Sequence, residues 1–156
     1  MSAFTLFFPL PPSLVFELVT VSVVPAWLLL AAAPHWIVTR YLVHSVLPVL
    51  LLGLLYGGLI AGGAFGGDNA GLSSLGDVMR LVQRPEAVLA AWVHYLVLDL
   101  FAGGWMVRDA SERGINHLAV LPGLGLTALL GPLGLALYFI TRVALGRGGW
   151  ALDPPR

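Results

Sequence analysis

The stretch Trp92-Val93-His94-Tyr95-Leu96-Val97-Leu98-Asp99-Leu100-Phe101 places an acid, an imidazole and a phenol inside a run that otherwise has the composition of a membrane-spanning helix. An aspartate near the centre of such a helix costs about 2.5 to 3.5 kcal/mol on insertion scales, so it faces a partner, a cavity or a ligand. Asp99 is therefore a candidate functional residue, and the rest of the chain provides its setting.

The whole chain has the composition of an integral membrane protein. Of its 156 residues, 58% are apolar and 10% are charged, whereas a soluble domain has about 25% charged residues. The mean hydropathy is +0.91. All eight basic residues are arginine and the formal charge is zero, so there is no basic stripe of the kind that binds nucleic acid. Cysteine is absent, which excludes disulfides and thiolate metal sites.

Four apolar runs of spanning length predict an all-α polytopic membrane protein, a bundle of four transmembrane helices in a single domain over residues 1–156. The predicted helices are residues 13–33, 41–65, 87–107 and 118–145, each long enough for the roughly 20 residues that cross the hydrocarbon core. A short interfacial helix is predicted at residues 75–82. Pro122 and Pro132 predict kinks in the last span.

Small residues at regular spacing in the fourth and second apolar runs indicate close helix packing. In the fourth run they recur every three or four positions, at Gly123, Thr127, Gly131 and Gly134, which is the spacing of a groove that lets helix backbones approach. In the second run, the spacing from Gly53 to Gly57 allows packing inside the bundle or a homodimer.

The arginines predict the orientation. With four spans, one side holds Arg80, Arg84, Arg142, Arg147 and Arg156, and the other holds Arg40, Arg108 and Arg113. Cytoplasmic loops carry the excess of basic residues in membrane proteins. Five arginines against three therefore place both termini in the cytoplasm.

Asp99 and His94 are the candidate catalytic residues. Trp92, Tyr95 and Asp99 share one face of the third predicted helix, because they are three or four residues apart. His94 lies about 140° further round the helix axis, so another helix or a ligand is needed to bring the two polar groups together. The alternative for Asp99 is a structural hydrogen bond within the bundle.

Further side chains are candidates for binding a substrate, each with a structural alternative. They are Trp92, Tyr95, Phe101, Tyr56, Tyr138, Glu17 and His44. No metal is predicted, because none of the candidate acids and histidines has a histidine or carboxylate partner at the i+3 or i+4 spacing of a helical metal site.

Three blocks of sequence carry a family resemblance. They are Pro25-Ala26-Trp27 with Pro34-His35-Trp36, Ala91 to Phe101 with Trp105 and Asp109, and Leu126 to Tyr138. In this order they resemble a bacterial-type member of the neoxanthin-synthase-like membrane family, which is named for the abscisic-acid-deficient locus four of plants and occurs also in bacteria and algae. The chain departs from the family pattern at Gly104, where a basic residue is expected.

The resemblance implies a role in xanthophyll metabolism, in plants the opening of the violaxanthin epoxide to the allene of neoxanthin. This net isomerisation needs an acid and a base but no redox cofactor. On this hypothesis, protonated Asp99 is the general acid, and His94 is the base or orients a second group. The expected substrate is a carotenoid or related isoprenoid, and the expected location is the lipid of a bacterial inner membrane.

A non-enzymatic role is the alternative. A membrane module that binds a carotenoid or lipid and presents it to a partner enzyme would use the same aromatic side chains as an active site. A third interpretation, proton or ion conduction, has Asp99 as its only central relay.

Overall fold

The computed structural model describes residues 9–66, 71–149 and 152. Within these ranges the chain has seven helices and no strand, which confirms the predicted all-α class. The helices are α1 (Pro12–Ala32), α2 (Ile37–Leu42), α3 (Leu47–Ala61), α4 (Leu75–Leu81), α5 (Pro85–Glu112), α6 (His117–Leu130) and α7 (Pro132–Ala144).

Among the described residues, three stretches are long and apolar enough to cross a membrane. They are Pro12–Ala32, Ile37–Ala61 and Pro85–Glu112, with 21, 25 and 28 residues. The second of them comprises α2 and α3. Large apolar side chains on α1, such as Val21 and Leu28, are more than half exposed, as expected for a helix whose outer surface faces lipid rather than water. These stretches correspond to the first three predicted spans.

The fourth predicted span, residues 118–145, is replaced by two short helices. The break falls at Gly131, where φ is +22°, a backbone conformation that disfavours residues with a side chain. Pro132 then begins α7 at the one position where its missing N–H breaks no helical hydrogen bond. With 14 and 13 residues, α6 and α7 are each about 20 Å long, short of the roughly 30 Å hydrocarbon core. A bundle of four spanning helices is not confirmed.

Helices α6 and α7 pack against each other, and glycine makes this contact possible. A Cβ atom added at Gly134 would collide with the backbone of Thr127 and with the carbonyl of Gly123. The predicted groove of small residues therefore does bring backbones together, but between the two arms of a helical hairpin. Pro122 lies inside α6 without ending it.

The chain divides into two compact units, each with its own buried residues. The first unit comprises Met1–Val23 and Pro48–Val97, and the second comprises Val24–Leu47 and Leu98–Arg156. In the second unit, one apolar cluster contains Leu30, Val43, Leu100, Val107 and Leu124. Another contains Met106, Ala110, Ile115, Val120 and Tyr138. The single domain over residues 1–156 stays a prediction.

The short helix predicted at residues 75–82 is α4. Its N-cap is Ser74, whose hydroxyl oxygen accepts a hydrogen bond from the backbone N–H of Asp77 at 3.1 Å. The same hydroxyl donates to the Asp77 carboxylate at 2.7 Å, and this hydrogen bond holds the pKa of Asp77 below its ordinary value. A serine at this position supplies a partner for N–H groups that the first turn leaves unpaired.

Candidate functional site

The predicted site residues divide between the two units. Those of the first unit are Glu17, Tyr56, Trp92, His94 and Tyr95, and those of the second are His44, Asp99, Phe101 and Tyr138. Within each unit, the structure brings some of them into contact and separates others.

In the first unit, aromatic side chains form a cluster on α1 and α5. The rings of Trp92 and Tyr95 stack with centroids 5.4 Å apart, which confirms that they share a face. Phe16 packs on the other side of Trp92, at 5.1 Å. The indole N–H of Trp92 donates to the hydroxyl of Thr20 at 2.8 Å, so the orientation of this ring is fixed by a polar contact as well as by stacking.

His94 does not belong to that cluster. Its side chain is exposed, and its ring lies 5.5 Å from the ring of Tyr56. Glu17 is also exposed, on α1. His94 therefore presents its imidazole at the surface of a candidate membrane span, where a ligand dissolved in lipid would meet it.

In the second unit, Asp99 is 9% exposed and lies against the break between α6 and α7. A Cβ atom at Gly131 would lie 3.1 Å from both Cγ and Oδ2 of Asp99, and closer still to Oδ1. Only glycine leaves room for the carboxyl group there. Gly131 is also the residue that precedes the first turn of α7, where unpaired N–H groups and the helix dipole favour a negative charge.

A second buried carboxylate, Asp109, lies near the end of α5 and is surrounded by donors. Nε of Arg113 donates to it at 2.8 Å, Nη1 of Arg142 at 3.2 Å and the hydroxyl of Tyr138 at 2.5 Å. The side chains of Asp109 and both arginines are at most 4% exposed. Charge-assisted hydrogen bonds of this kind are about twice as strong as neutral ones, so the four residues form one buried network.

This network bears on two expectations. Tyr138 donates its hydroxyl to Asp109, and its predicted contact with a substrate stays a prediction. Arg113 and Arg142, which the arginine count placed on opposite sides of the membrane, contact the same carboxylate. When Arg142 is counted with Arg113, four arginines lie on each side, and the predicted cytoplasmic orientation of both termini loses its basis.

Sequence reasoning placed none of Asp109, Arg113 and Arg142 in a site: it named Asp109 only in the family blocks and the two arginines only as markers of orientation. A signal was present, because Asp109 and Arg113 are four residues apart on one helix, and so are Tyr138 and Arg142. Residues at this spacing are neighbours on a helix surface. The convergence of the two pairs depends on the hairpin of α6 and α7, which the hydropathy pattern did not indicate.

His44 and Phe101 have different surroundings from Asp99. Nη1 of Arg108 lies 3.4 Å from Nδ1 of His44, and Phe101 is 54% exposed. A Cβ atom at Gly104 would lie 3.8 Å from Nη1 of Arg108. The guanidinium group of Arg108 therefore lies beside the position where a basic residue was expected.

An apolar cavity of about 600 Å³ borders the Asp109 network. Its walls include Phe139, Ile140, Val143 and Leu152, and the side chain of Arg142 forms part of the lining. The guanidinium carbon of Arg142 lies 5.0 Å from the centre of the Phe139 ring. A cavity of this size and composition accommodates an apolar ring or part of a polyene chain.

Within the described ranges, no group of three or more histidine, aspartate and glutamate side chains is placed to hold a metal ion. The absence of a metal site stays a prediction for the chain as a whole.

The fold and these sites define a helical protein with candidate membrane spans and buried carboxylates on its longest apolar helix. The family model described as ABA DEFICIENT 4-like matches residues 14–138, and the chain belongs to this family. The match includes Asp99, Asp109 and Tyr138 and ends before Arg142.

Similarity to a plant protein supports the same assignment. The chain is 26% identical over 140 residues to Protein ABA DEFICIENT 4, chloroplastic, of Arabidopsis thaliana. The aligned part is 85% of this chain and 62% of the relative, so the chain spans about three-fifths of the relative's length. No solved structure matches. Because this relative is chloroplastic, the bacterial origin and inner-membrane location stay predictions.

Proposed function

We propose that this protein is a membrane-embedded enzyme of carotenoid metabolism that isomerises a xanthophyll epoxide, with Asp99 as its general acid. The observation that carries the proposal is a buried carboxyl group in the middle of an apolar helix, set against a glycine that leaves room for it. Membership of the ABA DEFICIENT 4-like family supports the carotenoid class of substrate.

The chemistry requires one proton to be given and one to be taken. The acid protonates the epoxide oxygen as the C–O bond breaks, which leaves a hydroxyl group. A base removes a proton from the neighbouring polyene carbon, and the electrons of that C–H bond form the second double bond of an allene. The proton gained balances the proton lost, so the product has the composition and oxidation level of the substrate and the reaction needs no redox cofactor.

Asp99 suits the role of the acid for two physical reasons. Burial disfavours a charged carboxylate at rest. The start of α7 then stabilises the negative charge that appears when the proton leaves. His94 is the proposed base or orienting group, and Trp92 and Tyr95 would pack along the polyene chain.

A non-enzymatic carotenoid-binding module is the second candidate. The cavity beside Phe139 favours it, because its apolar lining contains no acid or imidazole and would hold a ligand without changing it. On this alternative, Asp99 has only a structural role at the helix break.

The two candidates are separated by pigment analysis in a carotenoid-producing host with a violaxanthin or a zeaxanthin background. The host expresses the wild type, Asp99→Asn, or the control Asp77→Asn, which makes the same chemical change on α4. In the violaxanthin background, we expect a product isobaric with its precursor from the wild type and the control, and in the zeaxanthin background, which offers no epoxide, we expect none. In Asp99→Asn, its rate of formation should fall by about 10²- to 10⁴-fold, the usual contribution of a general acid.

Full turnover by Asp99→Asn would show that Asp99 is not the acid. A pigment profile unchanged by the wild type, together with a carotenoid that co-purifies with the protein, would favour the binding module.

A further inference from the structure

A second cavity, of about 430 Å³, lies in the second unit, and its lining contains several polar and charged side chains. It is formed by the connection between α1 and α3 and by the last turns of α5. The polar side chains in its lining are His35, Arg40, His44, Arg108, Ser111 and Glu112. Neither the proposed acid nor the Asp109 network contributes to it.

The charges in this cavity are not balanced. Two arginines face one glutamate, and within the part of the chain that the structure describes, neither Arg40 nor Arg108 forms a salt bridge. By contrast, Arg113 and Arg142 share the carboxylate of Asp109. Guanidinium groups without a carboxylate partner, in a concave site, are suited to bind an oxyanion through paired N–H groups.

The neighbouring histidine leaves the guanidinium charge in place. Arg108 has only donor groups, so Nδ1 of His44, 3.4 Å from Nη1 of Arg108, is the acceptor in this contact. His44 is also hydrogen-bonded to the backbone of Pro34, and it lies close enough to Arg108 and His35 for their charges to act on it. Accepting a hydrogen bond does not neutralise a cation, so the cavity keeps its positive potential.

Aromatic side chains next to the cavity indicate where it meets the membrane. Trp36 is 53% exposed and Tyr41 is 67% exposed, and both lie within the segment that forms one wall. Exposed tryptophan and tyrosine at the ends of spanning helices are typical of the membrane–water interface. A basic site at that depth is in reach of lipid head groups.

We propose that this cavity is a phosphate-binding site, with Arg40 and Arg108 as the main ligands to the phosphate oxygens. The interfacial position favours the head group of an anionic phospholipid over free phosphate as its source. The site is independent of the isomerase proposal and does not require a carotenoid.

The test uses the full chain purified in detergent. Native mass spectrometry measures its affinity for phosphatidylglycerol and for phosphatidylcholine with the same acyl chains, and a second arm adds inorganic phosphate as a competitor. The variant is Arg40→Gln/Arg108→Gln. The matched control is Arg80→Gln/Arg147→Gln, which removes two arginines that do not line the cavity.

We expect the wild type and the control to prefer phosphatidylglycerol. The cavity variant should bind it about 25-fold more weakly, since each basic residue at a membrane surface contributes about fivefold. Competition by inorganic phosphate that disappears in the variant would support the phosphate site, and such competition without a preference for phosphatidylglycerol would identify free phosphate as its source. Equal affinity of the wild type for both lipids, with no competition by phosphate, would overturn the proposal even if the variant fails to fold.

Discussion

Two buried carboxyl groups on α5, Asp99 and Asp109, differ in what surrounds them. Asp109 is held by two arginines and a phenol, and its charge is part of the packing of the second unit. Asp99 rests against backbone, at a glycine that marks the break between two helices. Burial alone therefore does not identify the acid that carries out chemistry. The surroundings of each carboxyl group have to be compared as well.

The first test of this difference between Asp99 and Asp109 is to replace each acid by its amide. Asp109→Asn should lower the free energy of unfolding by about 3 to 5 kcal/mol, because two buried guanidinium groups lose their counter-ion. Asp99→Asn should lower the free energy of unfolding by much less. Unfolding of the detergent-purified protein by SDS measures both, with Asp77→Asn as the control. Equal losses for Asp99→Asn and Asp109→Asn would mean that both acids are structural.

The second test concerns the helix break that accommodates Asp99. Gly131→Ala should destabilise the protein by about 2 to 4 kcal/mol, from the strain of a positive φ and from the overlap of Cβ with the Asp99 carboxyl group. It should also abolish any activity that depends on Asp99. The control is Gly125→Ala in α6, where a Cβ atom would have no neighbour within 4 Å. If Gly131→Ala and Gly125→Ala have the same free energy of unfolding, the proposed contact at Gly131 is wrong.

A third substitution tests the network around Asp109. Tyr138→Phe removes the hydroxyl that donates to this carboxylate and should cost about 1.5 to 3 kcal/mol of unfolding free energy, as for hydrogen bonds to charged groups. The loss should shrink in an Asp109→Asn background, and this double-mutant cycle isolates the pairwise contact. Tyr41→Phe, at an exposed position, should be neutral. An unchanged loss in the double variant would contradict the contact.

The smallest effect is expected at α4, which lies outside the candidate spans. Ser74→Ala removes the helix cap and the hydrogen bond that lowers the pKa of Asp77. A carboxyl group with a lowered folded-state pKa stabilises the protein above its unfolded-state pKa, and this contribution is lost as the pH falls through the folded-state value. The difference in stability between wild type and Ser74→Ala should therefore be larger at neutral than at acid pH. Ser73→Ala is the control, and a difference independent of pH would refute the role of Asp77.

Local patterns in the sequence predicted much of this fold. The hydropathy of α1 and α5, the short helix after Ser74 and the shared face of Trp92 and Tyr95 depend on residues close together in the chain. Such features follow from helix periodicity, which a sequence displays directly.

A kink at Pro132 was predicted, but the division of the last span into two helices and the Asp109 network were not, for related reasons. Averaged hydropathy does not change across Gly131-Pro132, although this dipeptide is a signal for the end of one helix and the start of another. Arg142 is distant from Asp109 in the sequence, and the two meet only because of the hairpin of α6 and α7. From the sequence, the arginines were interpreted only as markers of orientation. Contacts between residues that are distant in the sequence depend on the tertiary arrangement, and helix periodicity does not predict this arrangement.

The contacts of the two buried arginines continue beyond the last helix. Nη2 of Arg142 donates to the carbonyl oxygen of Gly149 at 2.8 Å, and Nη2 of Arg113 donates to that of Leu152 at 3.0 Å. The family match ends at residue 138, so a chain shortened to this boundary would keep Asp109 but lose Arg142 and both carbonyl acceptors. A shortened form of this protein should therefore extend at least to Leu152, because the carbonyl oxygens of Gly149 and Leu152 are acceptors for the two buried arginines.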